Sequence, residues 1–305
     1  VGFSANSKSG IVIDGGSANT ITGNKIGNNG AAANANWNGI KLNNTIDNVV
    51  GGAGALRNII SGNTYDGVVI SGTSARNTIM GNYIGLDSTG ANDLGNGHAG
   101  VLITGTANDN YIGDGAGNGN VISGNANVGI GIDAGAGSNK IWGNYIGLNA
   151  AGVQRRNDMH GIRVWSAGNE IGGAGVNKRN IISGNGDTTA PGMDYFGILL
   201  STATCTGNVI KNNYIGTNVA GTSAIGNDGG GIYIGNNASG NTVGGAAAGE
   251  GNVISGNSGG PAVYIAASDG NVVRGNYIGT NAAGNVLSNL IGVRIESADG
   301  NTVLE

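Results

Sequence analysis

A glycine followed by an apolar–x–apolar triplet recurs about ten times along the 305 residues. Alternation over so few residues is typical of a short β-strand with its two apolar side chains facing inward and the middle one outward. The pattern therefore predicts one such strand in every repeat. The inward pairs are Ile11 and Ile13, Ile40 and Leu42, Val68 and Ile70, Val101 and Ile103, Ile130 and Ile132, Ile162 and Val164, Ile198 and Leu200, Ile232 and Ile234, Val263 and Ile265, and Val293 and Ile295.

Two further apolar columns have the same period, which predicts three short strands in each repeat. The inward residues of the first column, in an Asn-x-Ile/Val motif, are all β-branched, a side-chain type that packs well on a buried pleated face. The Asn-x-Ile/Val motif supplies Ile21, Val50, Ile79, Ile112, Ile141, Ile171, Ile210, Val243, Val273 and Val303. The alternating motifs Asn-Tyr-Ile-Gly and Asn-Val/Ile-Ile-Ser supply Ile26, Ile60, Ile84, Ile122, Ile146, Ile182, Ile215, Ile254 and Ile278.

Self-similarity at a fixed period indicates a stacked repeat architecture. Equivalent strands of successive turns would form parallel sheets, and at a spacing of about 4.8 Å ten turns make a rod roughly 50 Å long. We predict an all-β fold, a single-stranded parallel β-helix (solenoid) of about ten turns with three short strands each. We expect it to be right-handed because parallel crossovers usually are.

Two columns of asparagine accompany these strands. Asparagine accepts the left-handed backbone of a sharp corner, and its amide can bond to the same amide one turn above and below. We therefore assign these residues to asparagine ladders rather than to chemistry. One column is Asn19, Asn48, Asn77, Asn110, Asn139, Asn169, Asn208, Asn241, Asn271 and Asn301, and the other is Asn24, Asn58, Asn82, Asn120, Asn144, Asn180, Asn213, Asn252 and Asn276.

The NVISGN and GNYIG repeats resemble the right-handed parallel β-helix superfamily of pectate lyases, polygalacturonases, tailspikes and carbohydrate-binding secreted proteins. These particular repeat sequences are similar to those of large secreted or surface-attached bacterial proteins. The resemblance covers essentially the whole chain and implies an extracellular or cell-surface location. It fixes the fold more than the function, because this fold carries lyases, hydrolases, adhesins and inert spacers.

Composition and the ends of the sequence indicate which partners to expect and how the chain is divided into domains. A net charge of −4 without a basic run excludes a typical nucleic-acid footprint, and no apolar stretch is long enough to insert in a membrane. We interpret 1–303 as one β-helix domain from a larger protein and 304–305 as a cloning remnant. The lone Cys205 is expected in the core. Uncapped solenoid ends make end-to-end self-association a further expectation.

Candidate chemistry lies on the outward side of the first strand in the middle turns, where Asp133, Arg163, Trp165 and Tyr233 fall. Two irregular loops, 152–160 and 186–196, precede first strands there and are expected side by side above one groove. They add Arg155, Arg156, Asp158, His160, Asp194 and Tyr195.

These residues leave two functions open, beside a third alternative in which the rod is an inert spacer that neither binds nor cleaves a glycan. We favour an adhesin-like scaffold that binds polysaccharide through Arg155, Arg156, Trp165, Tyr195 and Tyr233, since catalytic pairs are scarce. The alternative is a polysaccharide lyase or glycoside hydrolase, because a lyase needs a cation with a base and a hydrolase needs paired carboxylates. Its catalytic set would be Asp133, Asp158, His160, Arg163 and Asp194.

No cofactor is expected, with calcium at the Gly/Asp/Asn inserts as a weak alternative. These inserts contain Asp87 and Asp114. They do not match the nonapeptide repeat that binds calcium in series, and single aspartates seldom supply enough ligands.

Overall fold

A computed structural model describes residues 1–28, 32–187 and 194–305. Three parallel sheets of ten strands each run along a rod, and every turn of the chain adds one strand to each sheet. The predicted all-β solenoid of about ten turns is therefore confirmed. Within the described ranges the helices are two 3₁₀ turns, Gly54–Leu56 and Val176–Lys178, and no helix there is long or apolar enough to cross a membrane.

The strands fall into the three sheets in strict rotation. Sheet 1 contains β2 (Ile11–Asp14), β5 (Ile40–Asn43), β8 (Val68–Ser71), β11 (Val101–Ile103), β14 (Ile130–Ile132), β17 (Ile162–Val164), β20 (Phe196–Ser201), β23 (Gly230–Gly235), β26 (Pro261–Ala266) and β29 (Ile291–Glu296). Sheet 2 contains β3 (Thr20–Ile21), β6 (Val49–Gly51), β9 (Thr78–Met80), β12 (Tyr111–Ile112), β15 (Lys140–Ile141), β18 (Glu170–Ile171), β21 (Val209–Ile210), β24 (Thr242–Gly244), β27 (Val272–Arg274) and β30 (Thr302–Leu304). Sheet 3 contains β1 (Gly2–Phe3), β4 (Lys25–Ile26), β7 (Ile59–Ile60), β10 (Tyr83–Ile84), β13 (Val121–Ile122), β16 (Tyr145–Ile146), β19 (Ile181–Ile182), β22 (Tyr214–Ile215), β25 (Val253–Ile254) and β28 (Tyr277–Ile278).

Equivalent residues of neighbouring turns pair directly, so the inward columns are continuous. In β17, Ile162 and Val164 are fully buried while Arg163 between them faces outward. The buried aliphatic side chains join into one core along the rod, and Cys205 belongs to it as expected. Exposure is higher in the last described turn, where Ile295 and Val303 are 42% and 51% exposed.

Both predicted asparagine ladders are present, and a third runs along the remaining corner. In each, the side-chain Nδ2 of one asparagine donates to Oδ1 of the asparagine in the next turn, at 2.8–3.4 Å in the first ladder and 2.8–3.1 Å in the second. Most backbone N–H groups of these residues donate to the same Oδ1. The third ladder is Asn6, Asn36, Asn63, Asn96, Asn125, Asn157, Asn185, Asn227, Asn257 and Asn289.

The left-handed corner residue is not the ladder asparagine itself, contrary to the expectation from sequence. At the corner before sheet 2 it is the residue immediately before the asparagine, for example Arg76 (φ 54°) or Asp109 (φ 53°). The asparagine then has ordinary backbone geometry, and its amide is free to bridge the turns. At this corner, one residue thus takes the left-handed backbone conformation and the next one, the asparagine, forms the ladder.

The outward side of sheet 3 is largely covered by the chain's own loops. Tyr83 and Tyr214 are 8% and 9% exposed, and Leu86 and Leu148 from the following loops pack into the same two small apolar clusters. The loops therefore cover the outward face of sheet 3 at the turns of Tyr83 and Tyr214.

Candidate binding face

The outward side of sheet 1 changes from turn to turn, unlike its inward side. Register pairing places one outward side chain of each strand in a single column along the rod. That column is Val12, Lys41, Val69, Leu102, Gly131, Arg163, Leu199, Tyr233, Tyr264 and Arg294. We call the part of this face from β14 to β29 the middle groove.

Arg163 lies on β17, the second strand of the middle groove. Its Nη2 donates to Oδ1 of Asp133 on the preceding turn at 3.0 Å, and its guanidinium carbon lies 3.8 Å from the centre of the Trp165 ring. Gly131 leaves room for the guanidinium, because a Cβ there would make a tight contact of 3.3 Å with that same Nη2. The arginine is thus held flat between a carboxylate and an indole, with 14% of its side chain exposed.

His160 is held by the first residue of β20, one turn later. The backbone N–H of Phe196 donates to His160 Nδ1 at 3.0 Å, and the rings of Tyr195 and Phe196 lie 5.5 and 6.5 Å from the imidazole. Burial and the positive charge of Arg163 lower the pKa of His160 to about 4. The imidazole is therefore neutral at pH 7, with its proton on Nε2.

A row of aromatic rings continues from this point toward the last turn. Phe196 lies 5.2 Å from Tyr233, and Tyr233 lies 5.3 Å from Tyr264 in an edge-to-face arrangement. The Tyr233 ring lies along its own strand over Gly235, where any Cβ would collide with it. Arg294 ends the row, with its guanidinium carbon 4.7 Å from the centre of the Tyr264 ring.

The two loop arginines are held by contacts between loops rather than inside the groove. Arg155 Nε donates to the carbonyl of Ala91 at 3.0 Å and lies 3.8 Å from a carboxylate oxygen of Asp93. Arg156 Nη2 lies 3.6 Å from Oδ1 of Asp187. Both side chains therefore join neighbouring loops at the corner between sheets 3 and 1.

Several carboxylates interact electrostatically around Arg156. Burial raises the pKa of Asp158, and Arg156 and Asp187 act on it in opposite directions. Burial also raises the pKa of Asp228, reinforced by the negative charges of Asp194 and Asp187. These groups lie on the loops beside the groove.

The structure divides the predicted site residues into two sets. Asp133, Arg163, Trp165, His160, Tyr195 and Tyr233 line or support the middle groove. Arg155, Arg156, Asp158 and Asp194 belong to the loop charges. Of loop 186–196, residues 188–193 lie outside the described ranges.

Sequence reasoning missed Phe196 and Tyr264 as members of the aromatic row. Phe196 stands directly before the glycine of its strand, so it falls outside the apolar–x–apolar triplet. Tyr264 occupies the same outward position as Tyr233 one turn later, and that register was the available signal.

The inserts considered for calcium use their carboxylates to close their own loops. Asp87 Oδ1 accepts hydrogen bonds from the side chain and backbone of Thr89, at 2.6 and 3.1 Å. Although burial opposes ionisation of Asp87, these bonds and those from Asn92 outweigh it and lower the pKa to about 2. Asp114 bonds to Asn118 in the same way. Across residues 1–28, 32–187 and 194–305, no three His, Cys, Asp or Glu side chains are grouped to hold a metal ion.

Comparisons with known proteins identify no family for this chain. No family model matches it, and no curated protein is significantly similar in sequence. Among solved structures, the Streptococcus pneumoniae surface protein and adhesin PfbA aligns over 99% of this chain and 83% of its own, at 12% identity and a TM-score of 0.26. A hyper-glycosylated fragment of TibA aligns over 96% of this chain and 100% of its own, at 13% identity and a TM-score of 0.19. Similarity at this level carries no argument about function.

Proposed function

We propose that this chain is a surface or extracellular β-helix module that binds polysaccharide along the middle groove. The observation that carries the proposal is the arrangement of Arg163 between Asp133 and Trp165, with the Tyr233–Tyr264 pair farther along the same face. These aromatic and cationic groups follow the axis of the rod, the direction in which an extended polymer can contact several turns. The core and ladder residues provide rigidity without taking part in binding.

The chemistry of these groups suits a sugar chain. Aromatic rings offer flat apolar surfaces with little conformational entropy to lose, and arginine offers several hydrogen-bond donors in a fixed plane. Asp133 holds the guanidinium in place, so the cost of ordering it has been met before a ligand arrives. Tyr233 and Tyr264 also present hydroxyl groups beside their rings, and the Tyr264 hydroxyl already donates to Glu296 at 2.6 Å.

The proposal is tested by screening the purified chain on a broad panel of plant, algal and microbial glycans. We expect Trp165→Ala and Arg163→Ala each to weaken binding of any retained glycan at least tenfold. Trp142→Ala is the matched control, because Trp142 is packed against Lys178 at 3.9 Å on another side of the rod. Retention of no glycan, or equal loss in the Trp165 and Trp142 variants, would contradict the proposal.

A polysaccharide-cleaving enzyme is the second candidate, and the loop carboxylates favour it. Glycoside hydrolysis needs one protonated and one ionised carboxyl group, and burial raises the pKa of Asp158 and Asp228 while Asp194 is nearby. His160 is a weaker candidate for the base, because its Nδ1 already accepts the Phe196 N–H. New reducing ends or unsaturated products that disappear in Asp158→Asn and Asp228→Asn would support catalysis, and their absence across the panel would remove it.

A further inference from the structure

Three aromatic rings form a stack on the early turns, apart from the middle groove. Trp37 and Tyr65 are 5.5 Å apart with an interplanar angle of 12°, and Tyr65 and His98 are 4.4 Å apart with an angle of 6°. The three residues lie on successive turns, just before β5, β8 and β11. We call this group the early stack.

A buried carboxylate, Asp66, holds the early stack at the end formed by His98. Asp66 is 1% exposed, and its Oδ1 accepts the backbone N–H of Ala99 at 3.0 Å and contacts Nδ1 of His98 at 2.7 Å. This partner of His98 lies 32 residues away in sequence, on the preceding turn, and was not recognised from the sequence. Asp66 holds the imidazole of His98 in one orientation. Tyr65 stacks on that imidazole and Trp37 stacks on Tyr65, so the orientation of the whole stack depends on Asp66.

Trp37 is the outer ring of the early stack and is 51% exposed. One of its faces is covered by Tyr65. Its other side borders a cavity of about 350 Å³ that is lined by Lys8, Ser9, Val12, Trp37, Asn38 and Lys41. The backbone N–H of Trp37 donates to the carbonyl of Lys8 at 2.8 Å, so the two walls of the cavity are tied together.

The charges in this cavity are arranged differently from those at the other two tryptophans. Trp142 has Lys178 over its ring, and Trp165 has Arg163 over its ring. Among the residues that the structure describes, no cation lies over the Trp37 ring, and neither Lys8 nor Lys41 forms an ion pair within 4.0 Å. Asp14, the next outward residue after Val12 in β2, accepts a hydrogen bond from Asn43 at 2.7 Å.

We infer that this cavity binds a carboxylated sugar unit, with its apolar face on Trp37 and its carboxylate between Lys8 and Lys41. The inference rests on the proposed function and adds the ligand's charge class and a second site on the same rod. Two ammonium groups without a partner favour an anion, and a rigidly held indole favours a flat apolar surface. The cavity volume suits about one ring-sized unit.

The experiment titrates the chain with three carboxylated glycans and their neutral counterparts, by calorimetry at low salt. The pairs are sialyllactose with lactose, a hyaluronan oligosaccharide with an N-acetylchitooligosaccharide, and oligogalacturonate with its methyl ester. We expect at least one acidic member to bind at least tenfold more tightly than its neutral counterpart, with affinity falling as salt rises. Trp37→Ala and the double variant Lys8→Gln with Lys41→Gln should each remove that preference.

The two sites are separated by repeating the titrations with Arg163→Ala and Trp165→Ala. If only the Trp37 and lysine variants lose the preference for the acidic glycan, the inference is supported and the middle groove is not the binding site. If only the Arg163 and Trp165 variants lose it, the inference is overturned and the middle groove is supported. Trp37→Ala removes a ring of the early stack and could disturb folding. The lysine double variant replaces two surface side chains that form no ion pair within the described part of the chain, so it tests the site with the stack intact. Equal binding of all acidic and neutral pairs overturns the inference.

Discussion

The two sides of each sheet 1 strand obey different rules. In β17 the inward residues Ile162 and Val164 repeat the pattern of every other turn and are fully buried, whereas Arg163 between them has no equivalent on either neighbouring turn. An inward side chain must fit identical neighbours above and below, so its column tolerates little variation. An outward side chain meets solvent and is free to vary. Function is therefore expected where the repeat is least regular.

The largest effect that would separate the two sides is expected for a ladder residue. Asn120 accepts the Nδ2 and N–H of Asn82 at 3.0 Å each and donates to Asn144 and Ile79 at 2.9 and 2.7 Å. Replacing it with alanine leaves several buried polar groups unpaired, so we expect Asn120→Ala to lower the free energy of unfolding by about 4 kcal/mol or more. Chemical denaturation measures this change.

The control for that prediction is an exposed asparagine. Asn108 bonds through Nδ2 to the carbonyl of Thr106 at 3.1 Å, and Asn108→Ala should change the unfolding free energy by less than about 0.5 kcal/mol. Similar losses in both variants would show that the ladder contributes no more than a surface amide.

The next effect compares two adjacent residues of β15. Ile141 is fully buried, and Ile141→Ala should lower the unfolding free energy by about 3 kcal/mol through lost burial and an internal cavity. Lys140→Ala should cost less than about 1 kcal/mol, because its ion pair with Asp109 is a loose 3.8 Å contact near the surface. If the lysine variant lost as much as the isoleucine variant, the division between inward and outward sides would not describe stability.

A smaller effect is expected from pH at the middle groove. The pKa of His160 is about 4 in the folded chain, below its ordinary value of 6.5, so the unfolded chain binds a proton that the folded chain does not between these values. Stability should therefore be unaffected above pH 6.5 and fall as the pH is lowered toward 4, by about 1–2 kcal/mol after allowing for partial exposure. His160→Gln, which keeps an acceptor for the Phe196 N–H, should remove this part of the slope in denaturation curves. An unchanged slope would show that other groups produce it.

The smallest effect is expected at the last turn, where the inward side itself becomes exposed. Ile295 and Val303 are 42% and 51% exposed, and an exposed strand edge invites pairing. We propose weak end-to-end association, visible as a rise in sedimentation coefficient with concentration and reduced by Val303→Lys. Val286→Lys is the control, since Val286 is 82% exposed on a side loop. A concentration-independent monomer would remove this proposal.

Most of the fold could be predicted because each structural role recurs in a column. Ten turns that each place a β-branched residue two positions after an asparagine leave few alternatives to stacked parallel strands. The third ladder was missed because its spacing to the next strand varies: Asn63 precedes Gly67 by four residues, whereas Asn185 precedes Gly197 by twelve. The strand β1 was missed because Gly2–Phe3 carries none of the three motifs.

The candidate site was predicted only in part, because its contacts connect different turns. Asp133 and Arg163 were recognised by position, since their strands are neighbours in sheet 1. The bond from Phe196 to His160 and the contact of Asp66 with His98 depend on loop paths that no repeat specifies. Repetition thus predicts which face a residue occupies, whereas its partner depends on the individual loop.

The three ladders also give the rod an electrical direction. In every ladder the Nδ2 group points toward the turn with the higher residue numbers, so the side-chain amide dipoles are aligned rather than alternating. Aligned dipoles add, as those of peptide groups do in a helix. The end with Asn6, Asn19 and Asn24 presents carbonyl lone pairs, and the end with Asn276, Asn289 and Asn301 presents N–H groups. The aligned side-chain amides therefore place partial negative charge toward the turn of Asn6 and partial positive charge toward the turn of Asn301, so the two directions along the rod are electrostatically different.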